Sequence, residues 1–295
     1  MLYVTLVKNK KTNMSSVAPK EFACAEPSVY VVGISAIIGT GKTNAMKRFQ
    51  ATRAIQITLL NEYHLDVHVV FVREPEHMWV IETDDGEKIN LLQEFYSDRD
   101  MYAQPFQTIV FDTHVDVVEA AIDEARRECN GKDIVLVVER TMYDQLLFWK
   151  LQVDDKLKST TPIFDAAYMR IWRKWTRFLP PVSLIFFLRT SDLQRTMQRL
   201  KKREESIAPD RSVFHVSMNG EQIEEVGGIT LAYQEALLKK HEAWYTQPFA
   251  HPPESSTQGI RCVHINADDP YHEEDASLFQ MAHEMCGSIA QMMMQ

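Results

Sequence analysis

Five stretches of the chain are short, apolar and rich in β-branched residues, and most of the sequence between them has helical periodicity. Val29–Ser35 (VYVVGIS) reads as a buried strand, with helical spacing over residues 43–54 behind it. Residues 66–73 (DVHVVFVR) are predicted as a second strand. An amphipathic helix is expected over residues 88–95. A longer one is expected over 105–129, where Ile109, Val110, His114, Val117, Val118 and Ala121 recur three and four apart. Asn130-Gly131 ends it as a C-cap should. Residues 133–138 (DIVLVV) are almost wholly apolar, which predicts a central parallel strand. Further strands are expected at 182–188 and 262–266, and further helices at 142–151, 163–178, 191–202, 230–245 and 274–294. Strands alternating with helices predict an α/β domain with a five-stranded parallel sheet flanked by helices.

Two regions fall outside this rhythm. Residues 1–28 carry Lys8, Lys10, Lys11 and Lys20 and no acid before Glu21. They read as a flexible extension with one short strand, LYVTLV, ahead of a domain over 29–295. The alternative, an organellar targeting segment, fits less well because the stretch contains no arginine. Residues 204–228 are polar, with Pro209, Asn219-Gly220 and Gly227-Gly228, and are long for a connection inside a domain, which is expected of a lid.

Composition narrows the chemistry. Forty-one acidic against thirty-two basic residues leave a net charge of −9 in 295 residues. Such a chain is not built to wrap nucleic acid or to dock on anionic lipid. Its four cysteines are far apart and lack CxxC spacing, which argues against a disulfide framework or a zinc site and for a reducing, cytoplasmic setting. No run of eighteen apolar residues exists to span a membrane.

The first strand leads into Ala36-Ile37-Ile38-Gly39-Thr40-Gly41-Lys42-Thr43. This is nearly the phosphate-binding pattern GxxxxGK[ST], in the strand–loop–helix context that supports it. Backbone N–H groups and the helix N-terminus would cradle phosphate, Lys42 would bridge β- and γ-oxygens of ATP, and the Thr43 hydroxyl would ligate Mg²⁺. Ala36 stands where the pattern has its first glycine; alanine fits there if φ is negative. Glu139 ends the third strand at the rim where α/β sheets bind ligands, as a metal-holding acid would. Glu74 follows the second strand, turned by Pro75 across the same rim, where a carboxylate can accept a hydroxyl proton. Trp79 reads either as ordinary core or as the floor of a pocket for a planar ring. Arg199 and Arg203 share a helix face, either as a solvated basic face or as cations closing over a triphosphate.

These pieces occur together in one family. The chain resembles the deoxynucleoside kinases from about residue 29 onward. The resemblance rests on GTGKT (39–43), EPEHMW (74–79), Tyr96 with Phe106-Gln107-Thr108, ERT (139–141), RLKKREE (199–205), ITLAYQEALLKKHEAWY (229–245) and VHINADDP (263–270). It implies the P-loop NTPase fold with an arginine-rich lid over about 199–228. It also implies an ATP- and Mg²⁺-dependent deoxynucleoside 5′-kinase of nucleotide salvage that forms homodimers. Residue by residue, it makes Glu74 the general base and Arg140 the stabiliser of the attacking oxygen and the new phosphate. Glu139 and Thr43 fall on the metal, and Arg199 and Arg203 on the lid. It aligns Trp79, Phe106 and Gln107 with the base, and Tyr96 and Glu225 with the sugar 3′-hydroxyl. It sets Asp268 and Asp269 against the donor adenine. His114 and Gln145 occupy positions where the family tells bases apart. Both are neutral here, so thymidine is expected among the substrates, with Trp149, one turn past Gln145, limiting larger purines. Two rival readings are a nucleoside monophosphate kinase and a non-catalytic accessory subunit of the same fold.

Overall fold

The computed structural model describes residues 26–207, 225–226, 228–245, 249–250, 260–268 and 275–295. Strand β1 (Val29–Ser35) is followed by α1 (Lys42–Thr52), α2 (Ala54–Tyr63) and β2 (His68–Val72). A hairpin of β3 (Val80–Glu82) and β4 (Lys88–Asn90) leads into α3 (Leu91–Ser97) and α4 (Arg99–Glu128). Then come β5 (Ile134–Glu139), α5 (Met142–Asp154), α6 (Pro162–Trp175), β6 (Val182–Arg189) and α7 (Leu193–Ile207). The short pair β7 (Glu225–Val226) and β8 (Ile229–Thr230) precedes α8 (Leu231–Tyr245), β9 (Phe249–Ala250), β10 (Ile260–Asn266) and α9 (Asp275–Met293).

The main sheet has the order β2-β5-β1-β6-β10-β9. The first five strands are parallel, as expected, and β9 adds an antiparallel edge. Side chains alternate between the two faces of each strand, and each face has its own core. Leu136, Val138, Ile185 and Phe187 pack with Phe111 and Val115 of α4, Leu146 and Trp149 of α5 and Leu237 of α8. Val135, Val137, Leu184 and Phe186 pack with Phe49, Ile55 and Leu59 of α1 and α2 and with Met281, Met285 and Ile289 of α9. Each such side chain contributes about 1.5–3 kcal/mol by leaving water. β5 is buried along its whole length because it lies between β2 and β1 with helices over both faces.

Three elements differ from the sequence expectation. The helix after β1 breaks at Arg53, whose backbone is left-handed at φ 52°, and continues as α2. Residues 88–90 are strand rather than helix, paired with β3. Helix α4 begins six residues before Pro105: the Asp98 carboxylate caps it by accepting from the Met101 N–H at 3.1 Å. Pro105, expected as the first residue, stands inside the helix. The LYVTLV stretch and lid residues 208–224 lie outside the described residues.

The chain moves from β1 out to β2, returns to β5, and then crosses to β6 on the far side of β1. The carboxyl ends of β1, β5 and β6 therefore border the reversal point where open α/β sheets form their ligand crevice.

Candidate active site

The loop from Ala36 to Thr43 joins β1 to α1 at this rim. Gly39 and Gly41 have φ of 85° and 95°, a conformation that glycine adopts without penalty. Ala36 stays out of the left-handed region, so an alanine stands there without backbone strain. The loop carbonyls are bonded to side chains, most of them from other elements. Arg140 Nη1 donates to Ala36 O at 2.9 Å. Thr40 Oγ1 and Lys42 Nζ donate to Ile37 O at 3.2 and 3.4 Å. Gln234 Nε2 of α8 donates to Ile38 O at 2.8 Å, and Arg199 Nη1 of α7 to Thr40 O at 3.4 Å. Carbonyls held this way turn the loop backbone so that its amides and the positive end of α1 can meet an anion.

Arg140 follows β5 with a left-handed backbone, φ 62°. A bulky residue there stores about 1–3 kcal/mol and needs surrounding contacts to persist. Its N–H donates to Ile34 O at 3.1 Å, and its guanidinium lies 4.6 Å from the centre of the Phe148 ring. Arg140 Nε donates to Glu74 Oε2 at 3.1 Å, so the loop after β2 and the loop after β5 meet in a nearly buried ion pair. The close approach of β1 to the start of α5 depends on Gly33, where a Cβ would fall 2.2 Å from Thr141 Cγ2.

The charges of this group perturb one another. Burial pushes the Glu74 carboxyl above its usual range, and the adjacent Arg140 draws it partly back. Burial, with repulsion from Arg140, lowers Lys42 to about 8. Thr43 Oγ1 donates to Glu139 Oε1 at 2.5 Å. A hydroxyl and a carboxylate this close, at the mouth of a phosphate loop, fit a magnesium ion that takes oxygen ligands from protein and from phosphate.

A second group lies beside the first. Trp79 meets Phe106 edge-on at 5.4 Å, and Phe106 stacks on Phe95 at 4.8 Å. The buried atoms Trp79 Nε1, Gln107 Oε1, His114 Nδ1, Gln145 Nε2 and Tyr168 Oη have no hydrogen-bond partner among the described residues. Buried polar groups are normally satisfied, so each of these atoms needs a partner that the described residues do not supply. Burial lowers His114 to about 4, which keeps it neutral. Tyr96 packs against Gly228 in the β7–β8 turn, where a Cβ would fall 2.5 Å from Tyr96 Cβ. Glu225 lies in β7 opposite Thr230; its side chain, and Asp269 entirely, are outside the described residues.

Some expected residues have other partners here. The Trp149 indole donates to Asp165 at 2.7 Å and stacks on Tyr168 at 4.4 Å, so its polar edge is engaged in the α5–α6 contact. The Asp268 carboxylate accepts from Thr190 Oγ1, Ser191 Oγ and Ser191 N, holding the turn before α7. Arg203 pairs with Glu76 at 3.1 Å, across from the Glu74 turn.

The deoxynucleoside kinase family model matches residues 32–287, most of the chain and both groups above. The chain belongs to the deoxynucleoside kinase family. The P-loop fold and the kinase activity follow from that membership, as does ATP as the general phosphate donor. A search of curated proteins returned no match. Among the described residues no helix of this kinase is long and apolar enough to cross a membrane.

Four further side chains surround the kinase site: Gln234 on the loop carbonyl, Phe148 under Arg140, Tyr168 with its own unsatisfied hydroxyl, and Asp144. Only Asp144 carried a legible signal, the Thr141-x-x-Asp144 spacing of a capping box.

Proposed function

We propose that the chain is an ATP- and Mg²⁺-dependent deoxynucleoside 5′-kinase that takes thymidine among its substrates and serves nucleotide salvage in the cytoplasm as a homodimer. The carrying observation is the Glu74–Arg140 pair at 3.1 Å, set beside the phosphate loop. A raised carboxyl there is a proton acceptor matched to a hydroxyl group. The 5′-hydroxyl gives its proton to Glu74 as its oxygen forms a bond to the γ-phosphorus. The bond from that phosphorus to the bridging oxygen breaks, and the electron pair leaves with ADP. Arg140 passes from Glu74 to the attacking oxygen and the new phosphate. Lys42, Arg199 and Arg203 offset charge on the phosphates. Thr43 and Glu139 would hold the magnesium ion, which would supply positive charge against the negative charge of the phosphates.

The acceptor pocket supports a pyrimidine reading. The Gln107 amide offers a donor and an acceptor to one base edge, matching thymine O4 and N3–H. His114 and Gln145 bring no fixed charge that would penalise a second carbonyl. Tyr96 and Glu225 are the expected holders of the 3′-hydroxyl, and Gly228 of the β7–β8 turn, packed against Tyr96, supports that pairing. Helix α6 exposes Ile163, Phe164 and Ile171, spaced seven and eight apart on one face, and Phe178 follows it with 67% exposure. An isologous contact between copies would cover them. The domain is taken as residues 29–295 with a lid over about 199–228.

The test is radiolabelled phosphate transfer from ATP to each of the four deoxynucleosides and to uridine. Transfer to thymidine is expected. A chain that phosphorylates none of them refutes the kinase reading. A thymidine kcat/KM more than about a hundredfold below the best substrate, about 2.7 kcal/mol, refutes the pocket reading alone.

A further inference from the structure

Asp144 is fully buried beneath the transfer site. One carboxylate oxygen accepts from the Thr141 N–H at 2.6 Å and from the Thr141 hydroxyl at 3.0 Å, which completes the α5 capping box. A cap uses only that oxygen. The other accepts from the Ser35 hydroxyl at the end of β1 and faces His241 Nε2 of α8 at 3.7 Å. Ser35 precedes Ala36, whose carbonyl receives the Arg140 guanidinium, and Thr141 follows Arg140 itself. Asp144 thus ties down the chain on both sides of the strained arginine.

His241 shows that hydrogen bonding alone does not explain a carboxylate here. Its Nδ1 lies 2.8 Å from the Leu237 carbonyl, which can only accept, so the proton sits on Nδ1. The neutral ring then presents a bare Nε2, unsatisfied, to an oxygen that is also an acceptor. An asparagine would do better: its oxygen could accept from Thr141, and its N–H groups could reach Ser35 and His241. What the carboxylate adds is charge. Its field reaches both Lys42 and Arg140; Arg140 is the one whose bonded partner changes charge in the reaction, because Glu74 is neutralised when it takes the 5′-hydroxyl proton. Of the anions acting on Arg140, Glu74, Asp144 and Glu139, Asp144 alone has no proton to take and no metal to hold in this reaction.

We propose that Asp144 is a positioning residue of the transfer step, a counter-charge that holds Arg140 at the site after Glu74 has been neutralised. The inference rests on the kinase reading above. Asp144→Asn should fold with a melting temperature at or above that of the parent, because it satisfies His241. Its kcat should fall about 10- to 100-fold, the range seen when an outer partner of a reacting group is lost, while KM for nucleoside and for ATP stays within about threefold. A parent chain without transfer activity sinks the kinase reading and this inference with it. An active parent whose Asp144→Asn variant keeps kcat within about threefold overturns this inference alone. If Asp144→Asn does not fold, Asp144→Ser, which keeps a capping oxygen without the charge, takes its place, and kcat within about threefold of the parent overturns the inference.

Discussion

Glu74→Gln separates proton acceptance from everything else the residue does. The amide oxygen can still accept from Arg140 Nε, whose present bond is 3.1 Å, so the geometry of the pair should survive. Two changes in stability then oppose each other. The fold disfavours the Glu74 charge, as its raised carboxyl shows, and a neutral side chain relieves that penalty. Arg140 loses its nearest anion but keeps the Ala36 carbonyl, the Phe148 face and the fields of Asp144 and Glu139. Exchanging one member of a buried pair for a polar isostere that keeps the bond should leave net stability within about 2 kcal/mol. The rate should not be spared. Loss of a general base costs about 10²–10⁴ in kcat, or roughly 2.7–5.4 kcal/mol of transition-state stabilisation. Steady-state phosphate transfer with each substrate saturating measures it, with chemical denaturation on the same preparations. In the parent, kcat/KM should fall on the acid side at a pH above the ordinary carboxylate value of 4.5, because the Glu74 carboxyl is raised. That limb should vanish in the variant. A variant within tenfold of parental kcat that keeps the acid limb refutes Glu74 as the base.

Other perturbations test other parts. Lys42→Ala should abolish transfer yet leave nucleoside binding measurable by quenching of Trp79; loss of nucleoside binding as well would contradict separate donor and acceptor groups. Gly39→Ala forces a side chain onto a φ of 85° and brings its Cβ 2.8 Å from Thr196 O, so it should cost about 1–2 kcal/mol from the backbone alone and weaken ATP binding by lifting α7 from the loop. His114 and His241 are held at about 4 by burial, against 6.5 in an open chain. The folded state therefore binds fewer protons than the unfolded one, and stability should be lost as pH falls from 6.5 toward 4, by about 3 kcal/mol per histidine. Denaturation midpoints should show a shallower acid slope in His114→Gln. Light scattering at micromolar concentration should give twice 34.1 kDa, and Ile163→Asp should halve it.

The five parallel strands were legible because burial within the sheet forces them into apolar, β-branched runs; the two-residue edge strand β9 is too short to leave such a pattern. Residues 133–138 could hardly be misread. The helix boundaries were less open to reading. Arg53 breaks α1 from α2 in a left-handed conformation without a glycine to announce it. Pro105 looks like a helix start, yet the cap at Asp98 lies seven residues earlier and the helix carries the proline through. Lys88–Asn90 pairs as a strand because β3 lies opposite, a contact that local periodicity does not encode. Within the site, the phosphate loop, Glu74, Glu139 and Arg140 stood in recognisable spacings. Gln234 did not: it acts on Ile38 from 196 positions away, and a lone glutamine within α8 looks like any other solvated residue until the fold closes.

The side chains bonded to the carbonyls of Ala36, Ile37, Ile38 and Thr40 have a thermodynamic consequence. A glycine-containing loop free in water samples many backbone conformations, and fixing each residue costs about 1–2 kcal/mol in entropy. Here most of that ordering happens when the protein folds, because Arg140, Gln234 and Arg199 reach the loop from three other elements. A phosphate chain arriving at the loop finds its amides already aimed, and only the anion itself must be immobilised. Pyrophosphate binding measured by calorimetry should therefore carry little conformational-entropy penalty in the parent chain and a larger one in Gln234→Ala, with the difference appearing in entropy before it appears in affinity.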